Sequence, residues 1–131
     1  MEKVIEIAAK HVDAIVYQFY GTLEQQNKLL DKLSPKVKTP FINGDIGFSS
    51  PSEMIPNPYG PHAKNQELRA KWLKESVEAC FVRPEFIGWH MCGVIDTWKT
   101  MPGKEYAQHQ GIMTVKGKFY PEMEEAIKDI S

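Results

Sequence analysis

The sequence predicts an α/β fold on a parallel sheet, and three observations lead there. Apolar segments of strand length alternate with segments of helical spacing along the 131 residues, the pattern of βαβ units. The strand segments are near-continuous in apolar character, as strands covered on both faces are. The middle one, Pro40-Phe41-Ile42-Asn43-Gly44-Asp45-Ile46-Gly47-Phe48, delivers a single carboxylate onto a Gly-flanked turn. That is the strand end at which α/β folds place ligands and chemistry, which makes Asp45 the first residue to interrogate.

The elements follow in order. Val4, Ile5, Ala8 and Val12 recur at helical spacing, so residues 2–11 read as an amphipathic helix. Asp13 to Tyr20 is β-branched and aromatic, ends at Gly21, and reads as a strand. Thr22 with Gln25 three residues on forms a capping box. Leu23, Leu29, Leu30 and Leu33 then mark a helix that Pro35 closes. After the Asp45 strand, residues 49–64 hold Pro51, Pro56, Pro58 and Pro61 with serines, Asn57 and Gly60, a long irregular loop. A third helix runs over 65–81 with Leu68, Trp72, Val77 and Cys80 inward, and Phe86 to Ile95 is a third strand. A loop crosses Pro102 and Gly103, Ile112 to Val115 suggests a short strand and Lys116 to Lys118 its turn, and Pro121 suits the first residue of a last helix carrying Met123, Ala126, Ile127 and Ile130.

Composition narrows the function classes. The length suits one domain. Sixteen basic residues against seventeen acidic ones leave no excess for a phosphate backbone, and the lysines are scattered, so nucleic acid is not the expected partner. No apolar run reaches the roughly 18 residues of a membrane span, and Met1 to Glu6 lacks the apolar core of a signal peptide. Cys80 and Cys92 form no CxxC and read as small core hydrophobes, with a reduced, cytoplasmic setting as the default. His11, His62, His90 and His109 show no metal-binding spacing, and no Gly-rich phosphate loop follows a strand, so neither metal nor cofactor is expected.

At four places the chain resembles the C-terminal part of a TIM-barrel glycoside hydrolase of the retaining, agarase and β-galactosidase-like type. The strand ending in Phe19-Tyr20 is similar to the sixth strand of that family. Pro40 to Phe48 resembles the seventh, which reads proline, apolar residues, glycine, glutamate. Phe86-Ile87-Gly88-Trp89-His90, reaching Asp96, resembles an eighth strand with glycine-tryptophan-histidine and a later aspartate. Gln110-Gly111-Ile112-Met113 and Phe119-Tyr120-Pro121-Glu122 resemble the stretch that leads into the last helix.

The resemblance implies an incomplete (β/α)8 barrel: about three parallel βα units with a C-terminal helix, residues 1–131 forming a single partial domain. A closed barrel takes eight strands and about 250 residues, so the chain reads first as a fragment of a longer catalytic domain, with a gene remnant and a half-barrel completed by another chain as the alternatives. The implied function is that of the C-terminal portion of an enzyme cleaving a β-linked galactan such as agarose, inactive alone because the family's general acid comes from the fourth strand. The alternative is a catalytically dead half-barrel that binds carbohydrate or assembles with a partner.

Glycoside hydrolysis needs two carboxyl groups, about 5–5.5 Å apart when one is a nucleophile and about 6.5–9.5 Å apart when a water intervenes. By resemblance Asp45 stands where the family has its glutamate nucleophile. The blander role is an aspartate that binds backbone amides at its turn. Tyr20 is placed to donate a hydrogen bond to Asp45, or to sit at the core edge with its hydroxyl in water. Trp89 or Trp98 offers a platform for a sugar ring, although strand alternation also allows Trp89 a place in the core. His90 and Asp96 either meet substrate hydroxyls or make structural hydrogen bonds. Positions after the histidine that are usually aromatic in the family are Met91, Cys92 and Val94 here, which strips part of the sugar-stacking wall.

Overall fold

The computed structural model describes residues 2–19, 21–53, 55–56, 58, 62–91, 93–96 and 110–130. Its elements run α1 (Glu2–Ala8), β1 (Ile15–Gln18), α2 (Leu23–Leu33), β2 (Phe41–Asp45), α3 (Gln66–Phe81), β3 (Phe86–Trp89) and α4 (Pro121–Lys128). The three strands form one parallel sheet in the order β1-β2-β3, so β2 and its Asp45 lie in the middle. Among the described residues the sheet is open, with β1 and β3 as its edges.

Local chemistry sets the helix limits. The Thr22 hydroxyl accepts from the Gln25 amide and the Gln25 side chain accepts from the Thr22 amide, completing the expected capping box of α2. Asn65 Oδ1 caps α3 through the Leu68 amide at 2.9 Å. Pro121 opens α4, where its missing N–H costs nothing. Helix α1 stops earlier than its apolar spacing implies, because bonds from Lys10 to Ile7 and from His11 to Ala8 tighten its end into turns.

Two apolar clusters form the core. Ile5, Ile15, Tyr17, Leu30, Leu33, Phe41, Cys80 and Phe86 pack α1, α2 and α3 against the sheet. Ile46, Phe48, Ala70, Leu73, Val77, Met123 and Ala126 join α3 to α4 and to the segment after β2. The other face of the sheet has no such cover among the described residues. Val16 is 65% exposed there, Ile42 is only half-buried, and Ile87 is 55% exposed at the irregularity where β3 shifts register.

Three expectations need correction. β3 ends at Trp89 instead of Ile95, and Gly93 beyond it adopts φ +82°, a conformation no extended strand holds. Residues 112–115 form isolated bridges, Met113 to Ile95 and Met113 to Phe119, in place of a strand. On α3, Leu68 and Trp72 are half-buried, while Arg69, Ala70, Leu73 and Ser76 join Val77 and Cys80 as the inward face. Cys92 and the Pro102–Gly103 loop lie outside the described residues.

Beneath β2 runs a buried polar chain. Asn43 Nδ2 donates to Gln26 Oε1 at 2.8 Å, the Tyr17 hydroxyl donates to the same oxygen at 3.4 Å, and Gln26 Nε2 donates to Cys80 Sγ at 3.0 Å. Burial pushes the Cys80 thiol up from 9.0 to about 11 and raises the Tyr17 phenol above its usual range. A thiol pKa raised by folding stabilises fully below its unfolded value, and that contribution disappears as pH climbs through the folded value. Stability is therefore expected to fall between pH 9 and pH 11, with Cys80 supplying on the order of 2–3 kcal/mol of the loss. Urea melts across this window check it: Cys80→Ala should flatten the slope, and an unchanged slope would refute the assignment.

Candidate active-site rim

The C-terminal ends of the three strands define the rim. Asp45, the last residue of β2, pairs across the sheet with Gln18 and is 4% exposed. Its amide donates to Asn43 Oδ1 at 3.2 Å, so the buried chain beneath β2 also fixes the backbone that carries the carboxylate. The glycine before it is required by space: a Cβ on Gly44 would stand 2.4 Å from Val16 Cγ1. β1 and β2 therefore approach closely just below the rim.

His90 follows β3 and is exposed. Its amide donates to the Asn43 carbonyl at 2.8 Å, and its carbonyl accepts from the Ile46 amide at 3.0 Å, which locks it beside Asp45. His90 Nδ1 lies 3.1 Å from the Gly44 carbonyl. Since a carbonyl only accepts, this contact selects the tautomer protonated at Nδ1 and leaves Nε2 with its lone pair. The rim thus joins a buried carboxylate to an oriented, accessible imidazole.

Trp89 pairs with Asn43 and packs, half-buried, against both apolar clusters. It serves as a seam between them. Tyr20 and Trp98, the other aromatic candidates, lie outside the described residues, as do Tyr59 and His109.

Asp96 enters a different network. It is 5% exposed, accepts from the Gly111 amide at 3.0 Å through Oδ1, and accepts from the Tyr120 hydroxyl at 2.7 Å through Oδ2. Arg69 completes this cluster from α3. Its Nε donates to the Phe48 carbonyl at 2.5 Å, its Nη2 to the Gly111 carbonyl at 2.7 Å, and its guanidinium lies 5.6 Å from the Tyr120 ring centroid. Gly111 allows no side chain, because a Cβ there would meet the backbone of Asp96, Ile95 and Val94 at 2.6–2.9 Å. The cluster ties the segments after β2 and β3 to α3 and to the entry of α4.

A cavity of about 300 Å³ opens beside this cluster, lined among the described residues by Ser52, Asp96, Lys116, Lys118 and Tyr120 with others, and not by Asp45. Sequence reasoning passed over Arg69, and it named Gly111 and Tyr120 only within the stretches that resemble the lead-in to the last helix. The available signal was Arg69 in helical register with Leu73, Ser76, Val77 and Cys80, a cation on an otherwise inward face. Among the described residues no group of three metal-ligating side chains occurs, and no helix is long and apolar enough to cross a membrane.

No family model matches the chain, and no curated protein matches it in sequence. Solved structures do. An exo-β-agarase superposes with a TM-score of 0.81 at 25% identity, over 98% of this chain and 18% of its own. The protein PfGH50B does so with a TM-score of 0.82 at 28% identity, again over 98% and 18%. A β-glucuronidase of Faecalibacterium prausnitzii matches at 0.69 and 15% identity, over 93% of this chain and 22% of its own, and so shows the fold alone. The chain spans about a fifth of the length of these proteins. Three parallel strands and four helices thus make up one portion of the fold of a larger glycoside hydrolase.

Proposed function

We propose that the chain is the C-terminal barrel portion, strands six to eight, of a glycoside hydrolase acting on a β-linked, agarose-type galactan, and that it does not turn over substrate alone. The carrying observation is the position of Asp45: the C-terminal end of the middle strand of a parallel sheet, beside an oriented His90. In this reading the Asp45 carboxylate is one of the two groups the reaction needs. It attacks the anomeric carbon or takes a proton from the attacking water. The second carboxyl group, which protonates the departing sugar oxygen, comes from a strand outside this chain. His90 Nε2 accepts a hydrogen bond from a substrate hydroxyl.

A second reading draws on the uncovered sheet face. Val16, Ile42 and Ile87 present apolar surface where a barrel would continue. A half-barrel that binds carbohydrate or assembles with another chain would use the same face without Asp45 chemistry.

A chimera separates the two. This chain replaces the matching segment of the exo-β-agarase, and release of reducing sugar from agarose oligosaccharides is measured. Turnover by the chimera, none by the isolated chain and loss in Asp45→Asn is the expected outcome. A folded chimera whose turnover survives Asp45→Asn sinks the catalytic role.

A further inference from the structure

A second cleft lies between the start of α2 and the middle of α3, with Phe48, three residues past Asp45, in its lining. It measures about 480 Å³, within the roughly 300–1,000 Å³ range of small-molecule sites. Phe48 and Trp72 form one wall, with ring centroids 5.7 Å apart at 72°. Trp72, Glu75 and Ser76 follow at helical spacing on α3, and Thr22 and Glu24 face them from α2. Neither Asp45, His90 nor Asp96 lines it.

Its polar groups point to a ligand class. Ser76 is only 3% exposed and lines the cleft. No lysine or arginine lines the cleft among the described residues, and His62 is the one lining side chain able to carry positive charge beside Glu24 and Glu75, so the lining suits a neutral ligand better than a multiply charged anion. The two carboxylates carry their own counter-ions outside it: Glu24 pairs with Lys28 at 2.6 Å and Glu75 with Lys71 at 3.7 Å. They keep free acceptor positions while little net charge remains to draw a cation. An aromatic wall facing hydroxyl donors and carboxylate acceptors suits a neutral ring with one apolar face and a hydroxylated edge.

We propose that this cleft binds a neutral pyranose unit of a galactan chain, as a carbohydrate-binding site separate from the rim. The choice of galactan rests on the function proposed above; the cleft and its neutral-sugar chemistry do not. The sugar stacks on Trp72, and its hydroxyls reach Ser76, Glu75 and Glu24.

Titration of the full chain with a neutral agarose tetrasaccharide tests it, followed by calorimetry and by NMR shifts assigned to Thr22, Trp72 and Ser76. Saturable binding that shifts these residues is expected. Glu75→Gln should weaken it about fivefold, Trp72→Ala should abolish it, and Trp72→Phe should keep part of it in a fold verified by melting. Asp45→Asn should leave the affinity unchanged, which keeps this test distinct from the turnover test of the rim. Absence of saturable binding overturns the proposal. So does sensitivity to Asp45→Asn without sensitivity to Glu75→Gln, or a preference for a sulfated or amino tetrasaccharide.

Discussion

Arg69→Met is expected to lower the unfolding free energy by about 3–5 kcal/mol, the cost of breaking a buried ion cluster by removing one member. Arg69 is fully buried and holds three oxygens, the carbonyls of Phe48 and Gly111 and Oε1 of Gln66. Burial lowers its pKa from 12.5 to about 10, while the nearby Asp96 and Tyr120 act in the opposite direction. The direction of that shift matters. Desolvation outweighs the opposing pull of Asp96 and Tyr120 on the guanidinium charge. Removing Arg69 is still costly: Asp96 stays buried without its cation, and the carbonyls lose their donors. The double variant Arg69→Met with Asp96→Asn should therefore lose clearly less than the sum of the single variants. Arg69→Lys should not rescue, since one ammonium cannot span the Phe48 and Gly111 carbonyls as the guanidinium fork does. Urea unfolding of the four variants beside the unsubstituted chain decides it, and a loss below about 1 kcal/mol for Arg69→Met would make the cluster a bystander.

This cluster also marks the boundary of what the sequence could reveal. Signals confined to a few neighbouring residues were legible: the Thr22–Gln25 box, the apolar run that makes β2, Pro121 at the start of α4. So was the parallel arrangement, because near-continuous apolar strands separated by helices have few other solutions. Interactions across distant segments were not. Asp96 reads as a rim acid because it follows β3, yet its oxygens go to Gly111 and Tyr120, 15 and 24 residues away. Trp89 belongs to a strand whose alternation offered both faces, and the register shift in β3 placed it on the core side. Arg69 looks like a solvated charge until Phe48 and Gly111 are seen to present carbonyls to it. The position of Asp45 at its strand end was legible from the turn residues around it; its burial was not, because that depends on packing contributed from elsewhere in the chain.

The substitution Asp45→Glu in the chimera is expected to raise turnover about a hundredfold, the scale on which a displacement of roughly 1 Å changes a rate. Aspartate is one methylene shorter than the glutamate of the resembling strand, and it withdraws its oxygens from the anomeric carbon by roughly 1–1.5 Å. β2 offers little freedom to make up that distance. Gly44 is pressed against Val16, the Asp45 amide is held by Asn43, and the next residue, Ile46, is hydrogen-bonded to His90. Extending the side chain is the remaining way to bring the carboxylate within reach. The extra methylene enters a site only 4% exposed and carries a packing cost of about 1–3 kcal/mol, so a melting curve accompanies each rate. A faster enzyme that retains the anomeric configuration identifies Asp45 as a recessed nucleophile. A slower one identifies the shorter side chain as the fitted group, with room for a water between it and the sugar, and reverses the assignment from nucleophile to base.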